Sequence, residues 1–133
     1  VLAVASGHPL AGRDSVSLEE LAGVPLLTIA GDLPPYRREA QSPARTPAGR
    51  PIRRGPEVTN MQEALMMVAA GQGALLTSAH TSTYHARPGV SYVPFADAEP
   101  VGYGLVWRAA DNSGAVRAFA HAALKVSDRN VPA

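Results

Sequence analysis

The chain has 133 residues, 46% of them apolar and 17% charged. That is enough for one compact domain with its own core and too little for two full ones. The formal net charge of +1 names no acidic partner, and the absence of cysteine excludes a disulfide scaffold or a thiolate metal site and fits a reducing compartment.

Val1–Ala5 reads as a short buried strand that ends at Ser6-Gly7. The segment has no basic leader and no long apolar core, so it does not read as a signal peptide. It begins as if already inside a strand, as a piece of a longer protein would. Ser17-Leu18-Glu19-Glu20 has the pattern of a capping box, in which Ser17 and Glu20 each satisfy the other's backbone amide. It predicts a short helix over Leu18–Ala22, stopped by Gly23. Leu26–Ile29 reads as the next strand, followed by the turn residues Gly31-Asp32.

Residues 34–57 differ in character. Six arginines stand against Glu39 and Glu57, and six prolines punctuate the run. A helix fits Tyr36–Gln41, with Pro35 in its first turn and Pro43 ending it. Ile52–Val58 then predicts a strand at a sheet edge, because Pro56 lacks an amide donor. Thr59-Asn60 opens the clearest helix, with Asn60 as N-cap and Glu63 three residues on. Met61, Leu65, Val68 and Ala69 recur at helical spacing, and Gly71 ends the element. Ala74–Thr77 reads as a buried strand, Ser78–His85 as a short helix capped by Ser78, and Val90–Pro94 as a strand. Tyr103–Trp107 is expected as a further strand, and Asn112-Ser113 as the cap of a last helix over Ala115–Val126. Strands alternating with short helices predict an α/β fold with a mainly parallel sheet flanked by helices. The longest uncharged apolar stretch, Ala64–Ala70, is too short to span a bilayer, so no membrane association is expected.

Two stretches carry a resemblance. Val1–Ala11, with its His8-Pro9-Leu10-Ala11 turn, followed by Ser17–Ala22, resembles the strand, turn and small helix of LysR-type transcriptional regulators. Val68–Leu76, with Gly71-Gln72-Gly73, resembles that family's helix, Gly-x-Gly turn and strand, and Gly104–Arg108 with Ala115–Ala123 its return strand and closing helix. The resemblance implies a periplasmic-binding-protein-like lobe. Residues 6–100 would form the second lobe of a two-lobed effector sensor; 1–5 and 101–133 would supply a crossing strand, a return strand and the closing helix of the first lobe. It further implies a small-molecule organic effector held between lobes, and free amides at helix starts make an anion the expected kind. DNA contact would come only from an N-terminal winged helix-turn-helix outside this chain, in a cytoplasmic homo-oligomer. Ser78 departs from the family, where proline is common, and residues 34–57 are longer and richer in proline.

In a doubly wound sheet, ligands lie beyond the carboxyl ends of strands, near helix starts. That points to Thr28 and Ala30, to Thr59 and Asn60, and to Thr77 and Ser78 as effector-binding residues, with Ser6 as a weaker candidate. Capping is the commoner use of Asn60 and Ser78. Gly71-Gln72-Gly73 is no nucleotide loop, since it follows a helix and opens a strand. No catalytic residue, metal site or cofactor is expected: His80 and His85 are off the spacing of a helical metal pair, and no Gly-x-Ser-x-Gly motif occurs. The alternatives carried are a transporter's solute-binding protein of the same bilobed fold and an enzyme lobe of related fold.

Overall fold

The computed structural model describes residues 1–102, 104–111 and 113–127. In chain order the elements are β1 (Leu2–Ala5), a 3-10 helix (Leu18–Gly23), β2 (Leu26–Ile29), α1 (Pro35–Gln41), β3 (Arg54–Val58), α2 (Met61–Ala69), β4 (Leu75–Leu76), α3 (His80–Tyr84), β5 (Val90–Val93) and α4 (Gly114–Ser127). They fall into two compact units, Val1–Pro100 and Val101–Ala133.

The first unit is a mixed α/β body. β1 lies between β4 and β5, antiparallel to both, while β2 and β3 pair in parallel. The two sheets touch through a parallel bridge from Leu26 to Ala74, with the Leu27 amide donating to the Ala74 carbonyl at 2.9 Å. The mainly parallel sheet expected from the sequence is therefore not what the ladders form. The cause is local: β1 runs against both of its neighbours, so each of its ladders is antiparallel.

Alternation along the strands divides the core between two faces. Leu2, Val4, Leu26 and Val93 point one way, onto Val16 and onto Leu21 of the 3-10 helix. Ala3, Leu27, Val58 and Leu75 point the other way, onto Ala64, Leu65 and Val68 of α2. With both faces covered, β1 and β2 read as continuous apolar runs.

The Gly-x-Gly turn has a separate reason for each glycine. Gly71 takes φ +71° just past α2; its amide donates to the Val68 carbonyl at 2.9 Å, and the Gln72 amide to the Met67 carbonyl at 3.0 Å. These two bonds make a Schellman cap, whose left-handed position favours glycine. At Gly73 a Cβ would lie 2.9 Å from the Pro25 carbonyl oxygen and 3.1 Å from a Leu27 methyl. Only a hydrogen allows β4 to close on β2 there.

The arginine- and proline-rich segment is ordered by its own chemistry. Pro35 starts α1, whose last amide bond runs from Ser42 to the Arg38 carbonyl at 2.8 Å, just before Pro43. β3 pairs only with β2, as an edge strand holding Pro56 should. Its register slips between Leu26–Arg54 and Thr28–Glu57, where three steps on β3 oppose two on β2. That bulge absorbs Gly55 and Pro56.

Three further expectations need correction. The Ser17 turn opens a 3-10 helix that includes Gly23, although the Glu20 carboxylate does accept the Ser17 amide at 2.8 Å. α3 begins at His80 after Ala79, so Ser78 is not its N-cap; the Ser78 carbonyl accepts the Thr81 amide at 3.1 Å instead. Residues 104–107 form no strand, because a strand exists only through its neighbours and no ladder reaches them among the described residues. Tyr103 and Asn112 lie outside those residues. α4 forms as expected, with the Ser113 hydroxyl accepting the Val116 amide at 3.3 Å.

Candidate functional site

Because β2 and β3 are parallel and β4 meets β2 through a parallel bridge, their carboxyl ends share one edge of the first unit. Thr28 and Ala30, Thr59 and Asn60, and Thr77 and Ser78 are brought to that edge. The Ala30 amide ties the first two ends together by donating to the Val58 carbonyl at 2.7 Å. Ser6 is not brought there. It follows β1, which runs the opposite way, and its amide donates to the Gly89 carbonyl at 2.9 Å beside the start of β5. The amino end of β1 takes its place: the Thr77 amide donates to the Val1 carbonyl at 3.1 Å.

The side chains of Thr59, Asn60 and Thr77 are already engaged. Asn60 caps α2, its Oδ1 accepting the Glu63 amide at 3.0 Å while its Nδ2 donates to the Thr59 hydroxyl at 3.1 Å. The Glu63 carboxylate accepts the Thr59 amide at 2.6 Å and the Thr59 hydroxyl at 2.7 Å. The backbone bond from Thr59, aided by its hydroxyl, holds the Glu63 carboxyl below its ordinary range. The positive end of α2 therefore already faces a carboxylate of the chain itself. At the β4 end, the Thr77 and Thr81 hydroxyls lie 2.6 Å apart, and Thr81 is buried.

Sequence reading missed a cavity of about 320 Å³ beside this edge. Thr28 and Ile29 of β2 and Leu33 of the next loop form one wall; α1 contributes Arg38 and Gln41, with Ser42 just after it; β3 contributes Arg54 and Glu57. Arg54 Nη1 donates to both the carbonyl and the hydroxyl of Ser42, and Arg38 Nη2 donates to the Gly31 carbonyl at 3.2 Å. Among the described residues no ion pair joins Glu57 to Arg38 or to Arg54. The sequence offered only the Gly55-Pro56 pair, a mark of an irregular strand; the pairing slip there, visible only with both strands in place, turns Arg54 and Glu57 to the face of Thr28. Among the described residues no group of three or more His, Asp or Glu could hold a metal ion, and no helix is long and apolar enough to cross a membrane.

A scan against protein-family profiles matches the LysR substrate binding domain over residues 1–128. The chain belongs to that family. Among solved structures it is similar to HinK, a LysR family transcriptional regulator from Pseudomonas aeruginosa, at 26% identity and a TM-score of 0.65, covering 91% of this chain and 42% of that one. The C-terminal domain of a probable LysR family transcriptional regulator from Rhodococcus sp. RHA1 matches at 31% identity and a TM-score of 0.60, covering 90% and 60%. The effector binding domain of QuiR in complex with shikimate shares the fold, at 17% identity and a TM-score of 0.62, covering 99% and 62%. The chain thus spans less than two thirds of the length of each. A search of curated protein sequences finds no match.

Proposed function

We propose that this chain is the effector-sensing part of a LysR-type transcriptional regulator, a protein that senses rather than catalyses. The family match over residues 1–128 carries the reading. In this proposal residues 6–100 form the second lobe of a periplasmic-binding-protein-like sensor, and 1–5 and 101–133 supply the crossing strand and closing helix of the first lobe, with 104–107 becoming a return strand only when that lobe provides a neighbouring strand. A small organic effector, anionic by preference, sits against the edge formed by Thr28, Ala30, Thr59, Asn60, Thr77 and Ser78, and a facing lobe completes the crevice. Ser6 falls outside this set because β1 carries it to the other edge. The effector acts by binding one arrangement of the lobes better than the other. DNA is contacted by a winged helix-turn-helix elsewhere in a cytoplasmic homo-oligomer.

The test uses the full-length regulator on its operator, with a reporter read across a panel of small organic acids. Ser78→Ala and Thr77→Val should lower the inducer response about tenfold while effector-free DNA binding is unchanged, about 1.4 kcal/mol of lost effector affinity. A regulator whose reporter ignores every acid, or whose response survives both changes, sinks the reading.

A further inference from the structure

The cavity between α1 and the β2–β3 pair differs from the strand-end crevice in a way that matters chemically. At the crevice edge Thr59, Asn60 and Thr77 already bond to neighbouring groups of the chain, and the helix start is met by Glu63. The cavity is lined by exposed charged side chains, which keep donors and acceptors unused by the protein and open to a ligand in place of water. Arg54 uses one nitrogen on Ser42 and Arg38 one nitrogen on Gly31, while a guanidinium carries five donors in a fixed fork. Glu57 lines the same space without pairing to either arginine.

Gln41 adds a second, independent observation. Its Oε1 is buried without a hydrogen-bond partner, the one such side-chain atom among the described residues. A buried acceptor left unpaired by the protein is costly, and it marks a place where a water or a ligand polar group completes the bonding. The terminal amide torsion is soft, so a small rotation presents this amide to the cavity that Gln41 lines. At about 320 Å³ the space is at the small end of ligand pockets.

The geometry points to a second ligand site in the first unit, built for a free α-amino acid. The carboxylate lies on the unused donors of Arg38 and Arg54, where planar bidentate contact is available. The ammonium lies toward Glu57, with a proton shared to the Gln41 amide oxygen. Two cations and one anion held apart in one cavity suit a zwitterion better than a simple anion, which would leave Glu57 facing it. All the lining residues fall between Thr28 and Glu57, so the site needs no facing lobe and no second copy. It shares Thr28 with the strand-end set, but Arg38, Arg54 and Glu57 lie outside that set, so variants at these three positions test the cavity alone.

The experiment is titration calorimetry on the 133-residue chain with L-alanine, L-lactate, acetate and inorganic phosphate. Alanine and lactate differ only in carrying ammonium or hydroxyl on the same carbon. Alanine should bind at least tenfold more tightly than lactate, and acetate and phosphate more weakly still. Arg38→Gln should weaken alanine and lactate alike, about tenfold. Arg54→Gln should do the same, but it also removes the bonds to Ser42, so Arg38→Gln, which leaves Ser42 alone, is the deciding variant. Glu57→Gln should abolish the preference for alanine over lactate while lactate binding stays within threefold. No heat from any probe overturns the proposal, and so does alanine binding that survives Arg38→Gln. Phosphate binding as tight as alanine would show a general anion spot and overturn the zwitterion assignment.

Discussion

The two units use similar residues in opposite ways. In the first, Leu2, Leu26, Leu65 and Val68 are buried to within 1% of full enclosure. In the second, Val106 is 95% exposed and Phe119 67%, and Trp107, Leu124 and Val126 are also open. Both segments have apolar periodicity, but only the first contains the sheet that turns periodicity into burial. A helix stripe is a demand for a partner surface, and it stabilises nothing until the surface is present.

The comparison is broken most directly by truncating one apolar residue in each unit. Leu26→Ala should cost about 3 kcal/mol, because Leu26 touches the core with no exposed surface and the parallel β2 holds its backbone in place. Phe119→Ala should change stability by less than about 0.5 kcal/mol, as an exposed site does. Urea melts of both variants check this, and equal losses would mean that α4 is as integral to folding as β2. The same exposed residues should make the chain self-associate. Light scattering across concentrations should show this, and Phe119→Ser with Trp107→Ser should reduce it; a chain that is monomeric throughout refutes the expectation.

Gly73→Ala ranks next. The added carbon would press on the Pro25 carbonyl and Leu27, both held in the core, and overpacking of that kind costs about 1–3 kcal/mol. Caps then sharpen the contrast. Asn60→Ala should cost about 1 kcal/mol of global stability, because α2 is bound to the sheet and cannot fray alone. Ser113→Ala removes an equivalent bond from α4, yet the loss should appear as faster amide exchange in the first turn of that helix, with little change in the melt.

How much of this could be read from the chain alone depends on whether the signal was local. The Asn60–Glu63 cap, the Pro35 start of α1 and the Gly71 stop of α2 are decided within a few residues, and each was legible. The direction of β1 was not, because nothing in Val1–Ala5 says whether its neighbours run with it or against it. That single unknown misplaced Ser6 and overstated the parallel character of the sheet. Residues 104–107 have strand composition, but composition cannot supply a neighbour. Six of the seven expected site residues share one edge, since strand ends follow from strand order. The cavity escaped notice because it needs the Gly55-Pro56 slip to aim Arg54 and Glu57, and a slip is a property of two strands.

The smallest expected effect concerns acid, and it again separates the units. Glu20 and Glu63 each accept a backbone amide, from Ser17 and Thr59, and that bond is the first cause holding each carboxyl below its ordinary range. A carboxyl with a lowered folded-state value binds its proton more weakly in the native chain than in the unfolded one. Its contribution is therefore complete above the unfolded-state value and is lost as pH falls through the folded-state value. Both groups belong to the first unit, so acidification below the ordinary glutamate range should loosen that unit. Glu63→Gln and Glu20→Gln should each flatten the acid limb of a pH–melt profile while leaving the profile above neutrality parallel to the parent. The effect is kept small because both carboxylates are solvated, and solvent screens what they gain. An acid limb of unchanged steepness in the double variant would place the acid sensitivity in some other carboxylate and remove these two turns from the account of why the first unit holds together.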